Sequence, residues 1–176
     1  MSDAPVGAFM RSLMLDAIPA ATIVAMILLT TLPMSFSPNL PVGGLWPLIG
    51  ITFWTLSRPR SMHPVTVFCL GLFADIVAFV PFGIHAAVFV LAQYIIVRQR
   101  RFLIGQGFWV LWAAYALLAT VVYAVLFYLT SLFLPGAIAF ERGLIGVGIA
   151  WATVPLVAFF LSRLNDIIDL FDEPIA

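Results

Sequence analysis

Asp75, His85 and Gln93 are the acid, imidazole and amide groups that lie inside long apolar segments of this sequence. An aspartate at the centre of a membrane-spanning helix costs about 2.5 to 3.5 kcal/mol, so it is either protonated or faces a partner. Asp75 follows Pro64 by eleven residues, which at about 1.5 Å of rise per residue places it well inside its segment. An acid in that position is a candidate functional site.

The tripeptide Pro81-Phe82-Gly83 separates Asp75 from His85 and predicts a tight turn between two antiparallel helices. His85 would begin the returning helix at a depth close to that of Asp75. A hydrogen bond between them would satisfy both groups and let the acid stay ionised. Two alternatives stay open. In the first, Asp75 is neutral or bonded to a hydroxyl or amide on another helix. In the second it serves a proton or ion relay, although the sequence offers no second intramembrane acid.

Gln93 is predicted to form a hydrogen bond between helices, with a ligand contact as the second interpretation. The rest of the sequence contains no Ser-His-Asp set, no pair of carboxylates at a common depth and no Gly-rich phosphate loop. His63 and His85 lack the spacing of metal ligands, and the single Cys69 excludes an intrachain disulfide and a cysteine-based metal site. We therefore predict no catalytic residue, no metal and no cofactor.

The composition is that of an integral membrane protein, with 64% hydrophobic and 9% charged residues. Since each membrane span needs about 20 residues, a chain of 176 residues holds at most about six spans and leaves no room for a soluble domain. We predict one transmembrane domain over residues 1–176. The formal net charge is zero, and without a basic patch the chain is not expected to bind nucleic acid.

Apolar runs bounded by Pro, Gly and Arg predict an all-α polytopic protein with six transmembrane helices. A short interfacial helix is expected within 1–16, and an amphipathic acidic tail over 163–176. Trp46 and Trp54 are expected to anchor the two ends of the second span in the interfaces. The six spans are predicted over 17–32, 45–57, 64–80, 84–97, 108–134 and 143–161.

Ala17, Ala21 and Ala25 recur at four-residue spacing in the first span, which lines small side chains along one helix face. Such a face permits close approach of another helix. The spacing does not decide whether that neighbour belongs to this chain or to a partner protein.

The arginines predict the orientation in the membrane. In a six-span arrangement only Arg142 lies on one side, and seven arginines lie on the other, at positions 11, 58, 60, 98, 100, 101 and 163. By the positive-inside rule, both termini are predicted to be cytoplasmic.

Over residues 54–101 the motifs of the chain resemble the MreD family of bacterial rod shape-determining membrane proteins. The resemblance rests on Trp54, on Arg58-Pro59 and on two further segments, Gly71-Leu72-Phe73-Ala74-Asp75 and Pro81-Phe82-Gly83-Ile84-His85-Ala86. The family pattern falls on Arg58, Pro59, Gly71, Asp75, Pro81, Gly83 and His85. The family's usual glycine between the acid and the turn is replaced here by Phe79 or Val80.

This resemblance implies a multi-pass protein of the bacterial cytoplasmic (inner) membrane with no catalytic residue. It implies a scaffold role in the elongation machinery that builds lateral peptidoglycan, with MreC as direct partner and MreB, the SEDS glycosyltransferase and the class B penicillin-binding transpeptidase in the same assembly. It also implies a fold similar to that of the substrate-binding subunits of energy-coupling-factor transporters. The alternative function is therefore a substrate-binding subunit for a vitamin-type small molecule.

Overall fold

The computed structural model describes residues 4–31, 45–133 and 140–172. Within these ranges the chain forms six helices and no strand. They are α1 (Ala4–Thr31), α2 (Trp46–Ser57), α3 (Pro64–Ala78), α4 (Ile84–Leu103), α5 (Phe108–Phe133) and α6 (Phe140–Asp172).

The helix order and most boundaries agree with the sequence prediction, but α1, α4 and α6 are longer than expected. The predicted interfacial helix and first span form one helix, α1, which continues through Pro19. The acidic tail is likewise continuous with α6, because neither Gly nor Pro separates it from the last apolar segment. Residues 33–44, whose three prolines and two glycines predict an irregular outer loop, lie outside the described residues.

Helix α2 occupies the centre of the helix bundle although it is the shortest helix. Its 12 residues span about 18 Å, well short of the roughly 30 Å of a hydrocarbon core. Leu48 and Ile49 pack into one buried cluster with α4, α5 and α6. Ile51 and Trp54 pack into a second cluster with α1, α3, α4 and α6. The whole bundle is therefore built around α2.

Trp54 is a core residue, and the prediction that it anchors an interface is wrong. Its side chain is fully buried, and its indole Nε1 donates a 2.8 Å hydrogen bond to the Thr22 hydroxyl on α1. The indole is enclosed because α1 and α3 pack against this face of α2. Trp46 is half-buried.

Among the described residues, two stretches are long and apolar enough to cross a membrane, Trp109–Phe133 within α5 and Val147–Leu170 within α6. The apolar stretches Ala17–Thr30 and Pro64–Ala78 are shorter. Membrane character is therefore concentrated in the C-terminal pair of helices, and the number of crossings made by the other four stays a prediction.

Helices α3 and α4 form a hairpin with very close backbone contact. Gly71 on α3 faces the main chain of α4, where a β-carbon built on it would lie 2.7 Å from the Ala86 nitrogen. No side chain fits at that distance. Gly71 precedes Asp75 by one helical turn, so this contact fixes the position of the acid relative to the start of α4.

Arginines tie the helices together at the opposite end of the bundle. Arg58, which follows α2, donates from Nε to the Asn165 side-chain oxygen at 3.1 Å and from Nη2 to Asp169, both on α6. Arg100 on α4 donates to the Leu56 carbonyl at 3.2 and 3.3 Å. That carbonyl lies in the last turn of α2, where cationic groups are favoured.

Candidate functional site: a buried carboxylate in the hairpin

The carboxylate of Asp75 is completely buried and accepts three hydrogen bonds. Oδ2 accepts from the backbone N–H of Gly83 at 2.7 Å. Oδ1 accepts from the backbone N–H of His85 at 2.7 Å and from its imidazole Nδ1 at 2.9 Å. An ionised carboxylate only accepts, so in that state of Asp75 the Nδ1 atom carries the hydrogen. The Asp75 to His85 bond predicted from the turn is therefore present, and two backbone donors join it.

The backbone donors belong to the N-terminus of α4. Gly83 is the residue before the helix and has no side chain that could cap it. Asp75 supplies that cap from the neighbouring helix, satisfying N–H groups that have no partner within α4. Its negative charge also lies at the positive end of the α4 dipole. The sequence signal for this arrangement is a glycine at the N-cap position, following a buried acid by eight residues.

Phe79 occupies the position in the turn where a glycine is favoured. It ends α3 with φ of 53° and ψ of 38°, in the left-handed region. The adjacent backbone nitrogen of Val80 donates to the Asp75 carbonyl at 3.2 Å. A left-handed residue after a helix is most often glycine, which gives the family's usual glycine a physical reason. In this chain Phe79 is strained, and its side chain is 92% exposed.

Gln93 does not belong to the same site. Its side chain is buried, and Nε2 donates to the Met62 carbonyl at 2.6 Å, just before α3 begins. Gln93 follows His85 by eight residues, about 12 Å along α4. Gln93 and the Asp75 to His85 pair therefore form two separate contacts, one near each end of the hairpin.

The other residues of the family pattern connect helices or lie in turns. Arg58 holds α6, as described above. Pro59 is exposed in the turn after α2, and Pro81 is half-buried in the hairpin turn. Gly83 has φ of 101°, a backbone conformation that glycine adopts at little cost.

The alanine stripe of α1 faces away from the rest of the chain. Ala17, Ala21 and Ala25 are all exposed, whereas Ile23 and Ile27 are buried against α2 and α3. The interpretation that another helix of this chain covers the stripe is therefore wrong. The bulky branched side chains, two residues out of phase with the alanines, make the internal contact because they bury more apolar area. A partner face stays a prediction.

The described residues thus define an all-helical protein of membrane-type composition in which the buried side chains of Asp75 and Gln93 tie helix α3 and its start to α4. Within these ranges no group of three His, Cys, Asp or Glu residues comes together as a metal site. The family model for the rod shape-determining protein MreD matches residues 10–164. The chain therefore belongs to the MreD family and is a membrane protein of the rod shape-determining class.

Two further comparisons gave no match. No curated protein and no solved structure is similar to this chain at a significant level. The similarity in fold to the substrate-binding subunits of energy-coupling-factor transporters consequently has no support from solved structures.

Proposed function

We propose that this protein is a non-enzymatic scaffold subunit of the rod-shape complex in the bacterial inner membrane, where it supports lateral peptidoglycan synthesis by binding MreC. The observation that carries the proposal is the Asp75 site. The chain belongs to the MreD family. The buried carboxylate of Asp75 accepts its hydrogen bonds from Gly83 and His85, within the same hairpin.

The other buried polar side chain of the hairpin, that of Gln93, supports the same function. The Gln93 amide binds a main-chain carbonyl. A catalytic or ligand-binding group has to present a donor or acceptor to a reacting or bound molecule. Both groups instead set the geometry of α3 and α4, which suits a rigid subunit that presents helix faces to other proteins.

The exposed alanines of α1 supply the face that we assign to MreC. In a membrane, small residues allow two helices to approach closely, so that packing and not hydrophobicity drives their association. MreB, the SEDS glycosyltransferase and the class B penicillin-binding transpeptidase would join the protein as members of the same complex.

A rescue experiment tests the scaffold function. A tagged copy is expressed in a rod-shaped bacterium depleted of its own MreD, and the proteins retained in mild detergent are identified by mass spectrometry. We expect restored rods and enrichment of MreC. An Asp75→Leu copy is the matched control, expected to lose both. Rods restored without retained MreC would contradict the partner assignment, and a stoichiometric vitamin-type molecule would favour a transporter subunit.

Alkaline phosphatase fusions test the six crossings and the cytoplasmic termini. The enzyme is active only outside the cytoplasm, so fusions after Gly105 and Ala176 should be inactive and a fusion after Gly136 active. Activity after Ala176 would replace six crossings by an odd number.

A further inference from the structure

An apolar cavity of about 490 Å³ lies between α2, α4, α5 and α6. This volume is within the roughly 300 to 1,000 Å³ typical of ligand sites. The lining is mostly aliphatic and aromatic and includes Ile49, Leu56, Leu103, Trp112, Leu118 and Phe159. The lining residues on α2 and α4 come from the halves of these helices that lead to Arg58 and Arg100. The cavity therefore lies at the arginine-rich end of the bundle.

Most polar side chains of the lining are already engaged. The Thr52 hydroxyl donates to the Leu48 carbonyl at 2.7 Å, and the Ser162 hydroxyl to the Phe159 carbonyl at 2.8 Å. The Tyr115 hydroxyl donates to the Leu45 carbonyl at 3.3 Å. The interior therefore suits a hydrocarbon chain much better than a polar metabolite.

Arg100 borders the cavity. Its neighbours Gln99 and Leu103 line the cavity, and its guanidinium donates to the carbonyl of Leu56, another lining residue. Within the described ranges no carboxylate pairs with Arg100. A guanidinium has five N–H donors, so several remain beside the cavity for an anion.

A second cation lies on the α6 side of the cavity. The Arg163 guanidinium lies 5.3 Å from the ring centroid of Phe159, a lining residue. The acids that follow on α6 are Asp166, Asp169 and Asp172, and Asp169 is paired with Arg58. Arg100 and Arg163 thus place positive charge at the rim of an apolar cavity.

We propose that this cavity binds an anionic phospholipid, with one acyl chain between α2, α4, α5 and α6 and the phosphate on Arg100. Basic pockets between helices on the cytoplasmic side of a membrane suit anionic headgroups. The inference rests on the proposed membrane orientation, which brings the arginine-rich end to the cytoplasmic leaflet. A helix of a partner protein fits less well, since a segment about 10 Å wide and 15 Å long occupies roughly 1,200 Å³.

The test uses the full chain purified in detergent, with retained lipids counted by native mass spectrometry and thermal stability measured alongside. Dioleoyl phosphatidylglycerol is compared with dioleoyl phosphatidylcholine and with inorganic phosphate. We expect phosphatidylglycerol alone to be retained as one copy and to raise the melting temperature. Arg100→Gln, which keeps a donor for Leu56, should weaken its binding at least about tenfold.

Cavity variants separate the site from lipids that coat the surface. Ala158→Trp on α6 and Ala114→Phe on α5 fill the cavity from two different helices, and either one that folds should abolish retention. The controls are Leu156→Trp on the exposed face of α6 and Arg98→Gln, which should bind as the parent does.

Three results would overturn the proposal. They are equal retention of the two lipids, unchanged retention when the cavity is filled, and equal stabilisation by inorganic phosphate. Displacement of the lipid by co-expressed MreC, together with loss of MreC binding in the Ala158→Trp variant, would assign the cavity to a partner helix instead. Lipid retention is measured on the isolated chain, so its failure is distinct from a failure to rescue rods.

Discussion

Gly71 on α3 lies against the main chain of Ala86 on α4, where a β-carbon on Gly71 would stand 2.7 Å from the Ala86 nitrogen. One turn further along α3, Asp75 reaches the first N–H groups of α4. The close approach is what makes those bonds possible, because the donor and acceptor of an N–H···O hydrogen bond must lie within about 2.7 to 3.2 Å of each other.

Gly71→Ala should therefore destabilise the hairpin strongly. The new methyl group meets backbone, which cannot rotate away, so we expect a loss at the upper end of the about 1 to 3 kcal/mol typical of overpacking. Unfolding in detergent with a graded denaturant would measure it. Gly148→Ala is the matched control, since Gly148 lies within α6 with open space around it. Equal stability of the two variants would contradict the close contact.

Asp75→Asn and Asp75→Leu should lower stability in that order. The amide of Asn keeps one acceptor oxygen for His85, but its NH₂ group would face the Gly83 N–H. That buried N–H is then left without an acceptor, which costs about 1 to 3 kcal/mol of stability. Leu accepts from none of the three donors and should cost more. Thermal unfolding in detergent would rank the variants. Equal losses of function in both, with parental stability, would indicate a proton carrier.

A double-mutant cycle isolates the side-chain bond between Asp75 and His85. Asp75→Leu removes the acceptor, and His85→Phe removes the donor while keeping a ring beside Phe89, whose centroid lies 5.7 Å from that of His85. Because the groups touch, the double variant should cost less than the two single losses summed, by more than about 0.5 kcal/mol. Additivity within that margin would show that the backbone donors alone hold the acid.

The sequence was sufficient for the features that depend on local pattern. Periodicity and the positions of Pro and Gly placed the six helices within a few residues, apart from the terminal extensions of α1, α4 and α6. The Asp75 to His85 bond followed from the short turn. The exposed alanines and the burial of Trp54 did not follow, since hydropathy does not reveal which face of an apolar helix meets its neighbour. The cavity was also missed, because four helices distant in sequence line it.

Phe79→Gly should stabilise the protein. Phe79 has φ of 53°, and a left-handed backbone costs a non-glycine residue roughly 1 to 2 kcal/mol. Its side chain is almost fully exposed, so removal leaves no cavity. The greater freedom of glycine in the unfolded chain offsets part of the gain. We expect a net rise of about 0.5 to 1 kcal/mol in the free energy of unfolding, measured as a shift in the unfolding midpoint. Phe82→Gly, at another exposed position of the turn, is the control and should not show this gain.

The alanine face of α1 gives the prediction that separates folding from assembly. Ala21 is exposed, so Ala21→Leu should leave the stability of the isolated chain within about 0.5 kcal/mol of the parent. If a partner helix packs on this face, the larger side chain should hold the helices apart and weaken the complex. Co-purification of MreC and rod shape in cells would both be measured, with Ala25→Leu as a second variant.

Ala124→Leu, at an exposed alanine of α5, controls for the addition of a bulky apolar side chain elsewhere on the surface. We expect the α1 variants to lose MreC and rod shape while the α5 variant retains both, with all three chains equally stable. If the α1 variants also retain MreC, the alanine face is directed at lipid, because lipid tails adapt to a leucine where a packed helix cannot.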